Sequence, residues 1–243
     1  MTEPVSYRQS LPLEPLAILQ RAVLMGRALV GVRAGGALLE RIGILDGIVE
    51  ENGLIVSHGA RHETRIDPKA IVAIVADRSE TPHDTVLTYI DFLDRNGDSV
   101  IKVTALDGPE GLDATLEGFA RAPLPYQPPL ERSAVAVEPS DIGAVPLLAA
   151  KANGDAVTLA VTRAGSFQSW TGVIEKVHFG HNYINIIQPE VHLHLRGQVI
   201  GSWDTEVEGD RLVLTALDPA DAPIGLTVSG DAMAFAEPLS LDA

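Results

Sequence analysis

The sequence predicts an α+β fold made by tandem duplication of one unit, a helix followed by an antiparallel β-meander. Three observations carry that expectation. Helical spacing is confined to short segments, the remaining chain is cut into β-prone runs by Gly, Asp and Asn, and the second half repeats the first at nearly constant spacing.

Taking the elements in order, "LEPLAILQRAVLMG" places Leu13, Leu16, Ala17, Leu19, Val23 and Leu24 at roughly helical spacing and stops at Gly26, a residue that commonly ends helices. "ALVGVRAGGALLERIG" and "GILDGIVEENGLIVSHG" then read as short strands. "RIDPKAIVAIVADRS" and "DTVLTYIDFLDRNGDSVIKVTAL" continue the meander, the latter a hairpin turning at Asp94–Gly97. "PEGLDATLEGFARA" has the composition of a short acidic helix. "PLPYQPPLERSAVAVEPS" is too rich in proline for regular ladder pairing and reads as a connector. The expected organisation is a first repeat over 1–121, a proline-rich connector over 122–139 and a second repeat over 140–243.

The repeat is visible residue by residue. Leu29, Arg33, Ala34 and Gly35 recur as Leu159, Arg163, Ala164 and Gly165, each 130 positions on (163 − 33). At 129 positions Gly43 meets Gly172, Ile55 meets Ile184 and Ile71 meets Ile200. After a shorter loop, Leu93-Asp94 meets Leu217-Asp218 at 124 positions (217 − 93), and "AILQRAVLMG" falls on "VPLLAAKANG".

Composition removes several functions. The 243 residues carry 18 Lys and Arg against 33 Asp and Glu, a net charge of −15 that repels nucleic-acid phosphates and anionic lipids. With no cysteine, disulfides, thiolate metal sites and a cysteine nucleophile are excluded. The amino terminus lacks the basic start and apolar core of a secretory signal, and no apolar run approaches membrane-spanning length, so the expectation is a soluble, cytoplasmic protein without membrane insertion. Nucleotide-binding glycine loops and a nucleophile elbow are missing, and "DRNGD" lacks the Glu that a calcium loop needs.

The chemistry-bearing stretch is "HFGHNYINIIQPEVHLHLR", with four of the seven histidines. The first repeat has Val49, Asn52, Glu63 and Arg65 where the second has His178, His181, His192 and His194. In "EVHLHLR" the strand period of two puts Val191, Leu193 and Leu195 on one face and His192, His194 and Arg196 on the other. Tyr183 and Asn185 share a face opposite Ile184 and Ile186. Three readings stand side by side: a solvated strand face, a zinc or iron site of His192 and His194 with His178 or His181 as third ligand, and a haem surface. The metal reading lacks a carboxylate shortly after the pair, where Gln198 and Val199 stand.

Residues 172–230 resemble the repeat of the haemin-degrading and haem-trafficking proteins of bacterial haem-uptake operons, the HemS/ChuX-like family. The resemblance lies in a Gly-Val pair, the run "YINII", Pro189, the "LHLR" strand, Trp203 and a hairpin ending in Leu-Asp. "VRAGGALLERIG", "IDPKAIVAIVADRS" and "IDFLDRNGDSVIKV" extend it to the first repeat. It implies a HemS-like pair of stacked antiparallel sheets and a cytoplasmic protein that binds haem, carrying it between an uptake transporter and an acceptor or degrading it. On the haem reading the candidate ligands are His194, His192, Tyr183 and His178, with Arg196 as the candidate propionate partner. This chain departs from the family pattern in two places. Residues 120–150 hold no histidine where two-repeat members have their axial ligand, Tyr126 being the only conceivable donor there, and Tyr183 stands in place of a tryptophan. Either the iron ligand has moved to the second repeat, or the chain is an interaction module of the same fold that has lost haem; a His-ligated metal-binding protein is the further alternative.

Overall fold

The computed structural model describes residues 5–80, 86–128 and 136–236. The first repeat runs β1 (Gln9–Leu11), α1 (Pro15–Arg21), β2 (Arg27–Ala34), β3 (Ala37–Ile44), β4 (Ile48–Glu51), β5 (Leu54–Ser57), β6 (Glu63–Ile66), β7 (Ala73–Glu80), β8 (Val86–Leu93), β9 (Ser99–Ala105), α2 (Pro109–Leu116) and β10 (Ala122–Pro123). The second runs α3 (Val145–Asn153), β11 (Ala156–Arg163), β12 (Ser166–Val173), β13 (His178–Gly180), β14 (Tyr183–Gln188), β15 (Val191–Arg196), β16 (Ser202–Glu208), β17 (Arg211–Leu217) and β18 (Pro223–Asp231). The strands make two antiparallel sheets, so the α+β duplication stands.

Helix boundaries follow local chemistry. Pro15 opens α1, where its missing N–H costs nothing, and a 3-10 turn over Ala22–Met25 ends at Gly26 with φ 68°. In the second repeat Pro146 sits in the first turn of α3, and Gly154 takes the left-handed conformation that closes it.

Two compact units emerge, one of Met1–Val32, Glu40–Arg132 and Arg163–Gln168, the other of Arg33–Leu39, Ser133–Thr162 and Ser169–Ala243. They are not the two repeats. Each includes the tip of the other repeat's first hairpin. In the first unit the strands run β10-β1-β7-β8-β9-β2, with β4-β5-β6 as a second group; in the second they run β16-β17-β18-β11, with β13-β14-β15. Ile18, Val30, Val32, Ile90, Phe92 and Val103 are fully buried in the first unit, and Leu147, Leu159, Val161, Ala216, Leu226 and Val228 in the second.

The duplication reaches the level of single hydrogen bonds. Ala73 pairs with Leu93 as Ser202 pairs with Leu217, and the register shift at Phe92/Leu93 recurs at Thr215/Leu217. The Asp67 N–H donates to the Gly165 carbonyl within the first unit, and the Arg196 N–H donates to the Gly36 carbonyl within the second, each at 2.9 Å. These two bonds are related by 129 positions (196 − 67 and 165 − 36).

That spacing corrects the alignment of the first hairpin. β2 and β11 have the same order of buried and exposed residues, and their starts differ by 129 (156 − 27), not 130. The Arg-Ala-Gly identities therefore lie one residue out of structural register. A slip of one flips a side chain to the opposite face of a strand. Arg33 is accordingly exposed. Arg163 reaches the Ser99 carbonyl and bonds the Asp94 carboxylate at 2.5 Å.

Part of the connector also differs from expectation. Ala122 and Pro123 pair with Ser10 and Gln9, and Leu124 N–H donates to the Arg8 carbonyl. Proline is tolerated because β10 is an outermost strand, where one edge needs no donor.

The first unit buries a histidine. His62, just before β6, is 0% exposed, and neither ring nitrogen has a hydrogen-bond partner among the described residues. Loss of hydration lowers its pKa from the ordinary 6.5 to about 4; the nearby Gly43 backbone and Asp46 oppose this shift, and Arg41 adds to it.

Candidate functional site

The histidine-bearing strands are set by local sequence. His181 and Asn182 have φ of 53° and 70° between the paired residues Gly180 and Tyr183, a two-residue turn whose twist suits a hairpin. Asn52 and Gly53, at 52° and 80°, do the same between Glu51 and Leu54 in the first repeat. Along β15 the alternation buries Val191, Leu193 and Leu195 completely, and β14 buries Ile184 and Ile186. Each such side chain contributes about 1.5–3 kcal/mol by leaving water, so the core-facing set fixes which residues are left on the other face.

That other face is ordered in rows by strand register. His178, Asn185 and His194 lie opposite one another across β13, β14 and β15. Gly180, Tyr183 and Arg196 form the row on one side of it, and Ile187 pairs with His192 in the row on the other side. Directly opposite side chains stand about 4.5–5.5 Å apart at Cβ. His178, Tyr183, His192 and His194 are half-buried, whereas Arg196 is exposed.

The centre of the face is hydrogen-bonded. Asn185, 9% exposed, donates from Nδ2 to the Tyr183 carbonyl at 2.9 Å and the Gly180 carbonyl at 3.2 Å. Its Oδ1 lies 2.7 Å from Nδ1 of His194. The His194 ring meets the Tyr183 ring edge-on at 6.3 Å and the His192 ring at 5.8 Å, with interplanar angles of 83° and 80°. The face thus offers an imidazole donor, a phenol and an outlying guanidinium side by side.

His181 is placed apart from these. It occupies the tip of the β13–β14 turn, exposed, and belongs to no cluster of metal-ligating side chains among the described residues. Trp203 donates from Nε1 to the Ile142 carbonyl at 2.9 Å and anchors the turn before α3. In the first repeat the row equivalent to His178–Asn185–His194 is Val49–Val56–Arg65, and Arg65 lies over the Phe167 ring at 5.2 Å. That copy has neither the imidazole nor the amide.

Asn185 is the residue that sequence reasoning underrates. Its signal is an amide inside the apolar run "YINII", on the polar side of the alternation. Its partner is nine residues away and is found only once the β14–β15 register is known.

No protein-family model matches the chain, and neither does any curated protein sequence. Solved structures do. The chain is similar to the heme degrading enzyme ChuS of Escherichia coli O157:H7, with a TM-score of 0.74 and 18% identity over 96% of this chain and 84% of that one. It is similar to holo-PhuS, a heme-binding protein from Pseudomonas aeruginosa, with a TM-score of 0.73 and 16% identity over 96% and 82% of the two chains. The apo form of PhuS gives 0.71 and 17% over 95% and 82%. At this identity the likeness is one of fold.

Proposed function

We propose that this chain, which has the duplicated α+β fold of ChuS and PhuS, binds haem on the polar face of β13–β15 and hands it on. The observation that carries the proposal is the central row of that face. There a half-buried imidazole, His194, is fixed by Asn185 beside Tyr183. The donor set suits the ligand: imidazole is a common axial ligand of haem iron, and the planar guanidinium of Arg196 pairs with carboxylates. Bound haem would supply a ring-held iron that accepts one such nitrogen.

The chain's own part is threefold. His194 supplies the iron donor, with His192 and His178 as neighbouring alternatives. Tyr183 supplies a flat wall against which a macrocycle can lie. Arg196, exposed opposite Tyr183, meets a propionate at the solvent edge. The proposal includes a cytoplasmic role between an uptake transporter and a haem acceptor, as the resemblance implies. Binding and transfer come before degradation, because ring opening demands a reductant in addition. No helix of the described residues is long and apolar enough to cross a membrane.

The test is a haemin titration followed at the Soret band. A saturable, shifted band at one equivalent is expected. His194→Ala should move that band or weaken binding at least about tenfold, while His58→Ala, altering an exposed histidine paired with Glu51 in the first repeat, should do neither. A non-saturating curve overturns the proposal. Stoichiometric zinc in colourless protein would then favour a His-ligated metal site, and no ligand at all an interaction module.

A further inference from the structure

The Asn185 amide can be oriented without ambiguity. Its Nδ2 faces two backbone carbonyls, those of Tyr183 at 2.9 Å and Gly180 at 3.2 Å, and a carbonyl oxygen only accepts. Both Nδ2 protons therefore have acceptors, and the atom facing His194 is the amide oxygen. An amide oxygen also only accepts. At 2.7 Å the His194 Nδ1 must be the donor, so that nitrogen carries a proton.

We infer that Asn185 is a positioning residue which holds the His194 proton on Nδ1 and so makes Nε2 the nitrogen through which His194 meets a metal centre. Metal-ligating histidines are commonly oriented in this way, by an acceptor on the nitrogen that does not bind the metal. Whatever the state of Nε2 before binding, any proton displaced by the metal is the one on Nε2, because the Nδ1 proton is held by Asn185. The bond also fixes the ring plane. A donor that needs no reorientation loses less entropy on binding, and Asn185 is itself held by two backbone bonds. The pair belongs to the second repeat alone, since Val56 and Arg65 occupy the equivalent register in the first. That register also shows that this strand position accepts a β-branched apolar residue.

The inference rests on the haem reading only for the identity of the metal, and the test separates the two. In ligand-free protein with ¹⁵N-labelled histidine, long-range ¹H–¹⁵N spectra at pH 9 should show His194 protonated at Nδ1. Asn185→Val, which removes the acceptor facing Nδ1, should move the proton towards Nε2. Wild-type His194 protonated at Nε2, or an unchanged spectrum in Asn185→Val, overturns the inference. If Asn185→Val does not fold, the wild-type spectrum decides it, a His194 without the Nδ1 proton being fatal. With haemin as probe, Asn185→Val should bind about 10–100-fold more weakly than wild type, with a displaced Soret band. Equal affinity and an identical band in Asn185→Val overturn the link to the metal. A wild-type protein that does not bind haemin refutes the haem reading and leaves the tautomer to the spectra.

Discussion

Replacing His62 with Leu should flatten the acid limb of the stability profile. The imidazole is fully buried, and both ring nitrogens lack hydrogen-bond partners among the described residues. Burial therefore disfavours the cation, lowering the pKa from 6.5 to about 4. Above pH 6.5 the group is neutral in both folded and unfolded chains and favours neither. As the pH falls from 6.5 to 4 the unfolded chain takes up a proton that the folded chain refuses, so stability present above the unfolded pKa is lost through this window. At about 1.4 kcal/mol per tenfold change in proton affinity, the loss assigned to His62 is about 3 kcal/mol. Urea unfolding at a series of pH values, followed by the fluorescence of buried Trp170, measures it. Wild type should lose about 3 kcal/mol more than His62→Leu between pH 7 and pH 4. At pH 7 the variant should be at least as stable, because an apolar side chain leaves no unpaired nitrogen buried. Equal losses in the two proteins would refute the reasoning, since burial would then not disfavour the cation, as would a large drop at pH 7 in the variant, since the imidazole would then hold a bond stronger than the Gly43 backbone contact that only partly offsets its burial.

Other consequences follow from packing and register. Leu193→Ala on the buried side of β15 removes a side chain with no exposed surface and should cost about 2–5 kcal/mol in denaturant unfolding, whereas a change at exposed Ile187 on the neighbouring strand should cost far less. Arg163→Ala should lower the urea midpoint more than Arg33→Ala, because Arg163 bonds Asp94 and the Ser99 carbonyl while Arg33 is exposed. Partial burial pushes the Asp94 carboxyl up, but the N–H groups of Asn96 and Asp98 together with Arg163 outweigh it and hold the carboxyl below its usual range. The stability this gives is present above the unfolded pKa and lost as pH falls through the folded one. Removing Arg163 should raise the Asp94 pKa in a carboxyl-detected NMR titration, and an unmoved pKa would contradict the pairing.

Much of the architecture could be read from the chain. Helix ends at Gly26 and Gly154 and the period-two burial of Val191, Leu193 and Leu195 are local effects, carried by residues close in sequence. The two-residue turn at His181-Asn182 is local too, although it became clear only with positive φ at both positions. The histidine-bearing face was legible for the same reason, since alternation along one strand needs no knowledge of its neighbours. Its ordering was not, because His194 and Asn185 meet through the pairing of two strands, and one step of register would have set His194 against an isoleucine.

The sequence by itself determined that a helix-plus-meander unit occurs twice and that only the second copy carries histidines at the positions of His178, His181, His192 and His194. Tertiary structure decided the rest. It set the repeat offset at 129 through the first hairpin, which sends Arg33 to solvent and Arg163 to Asp94. It assigned Arg33–Leu39 and Arg163–Gln168 to the units of the opposite repeats, and it joined the Asn185 oxygen to His194 Nδ1. Local propensity acts within a few residues, whereas these outcomes depend on hydrogen-bonded pairing between segments that only the folded chain brings together.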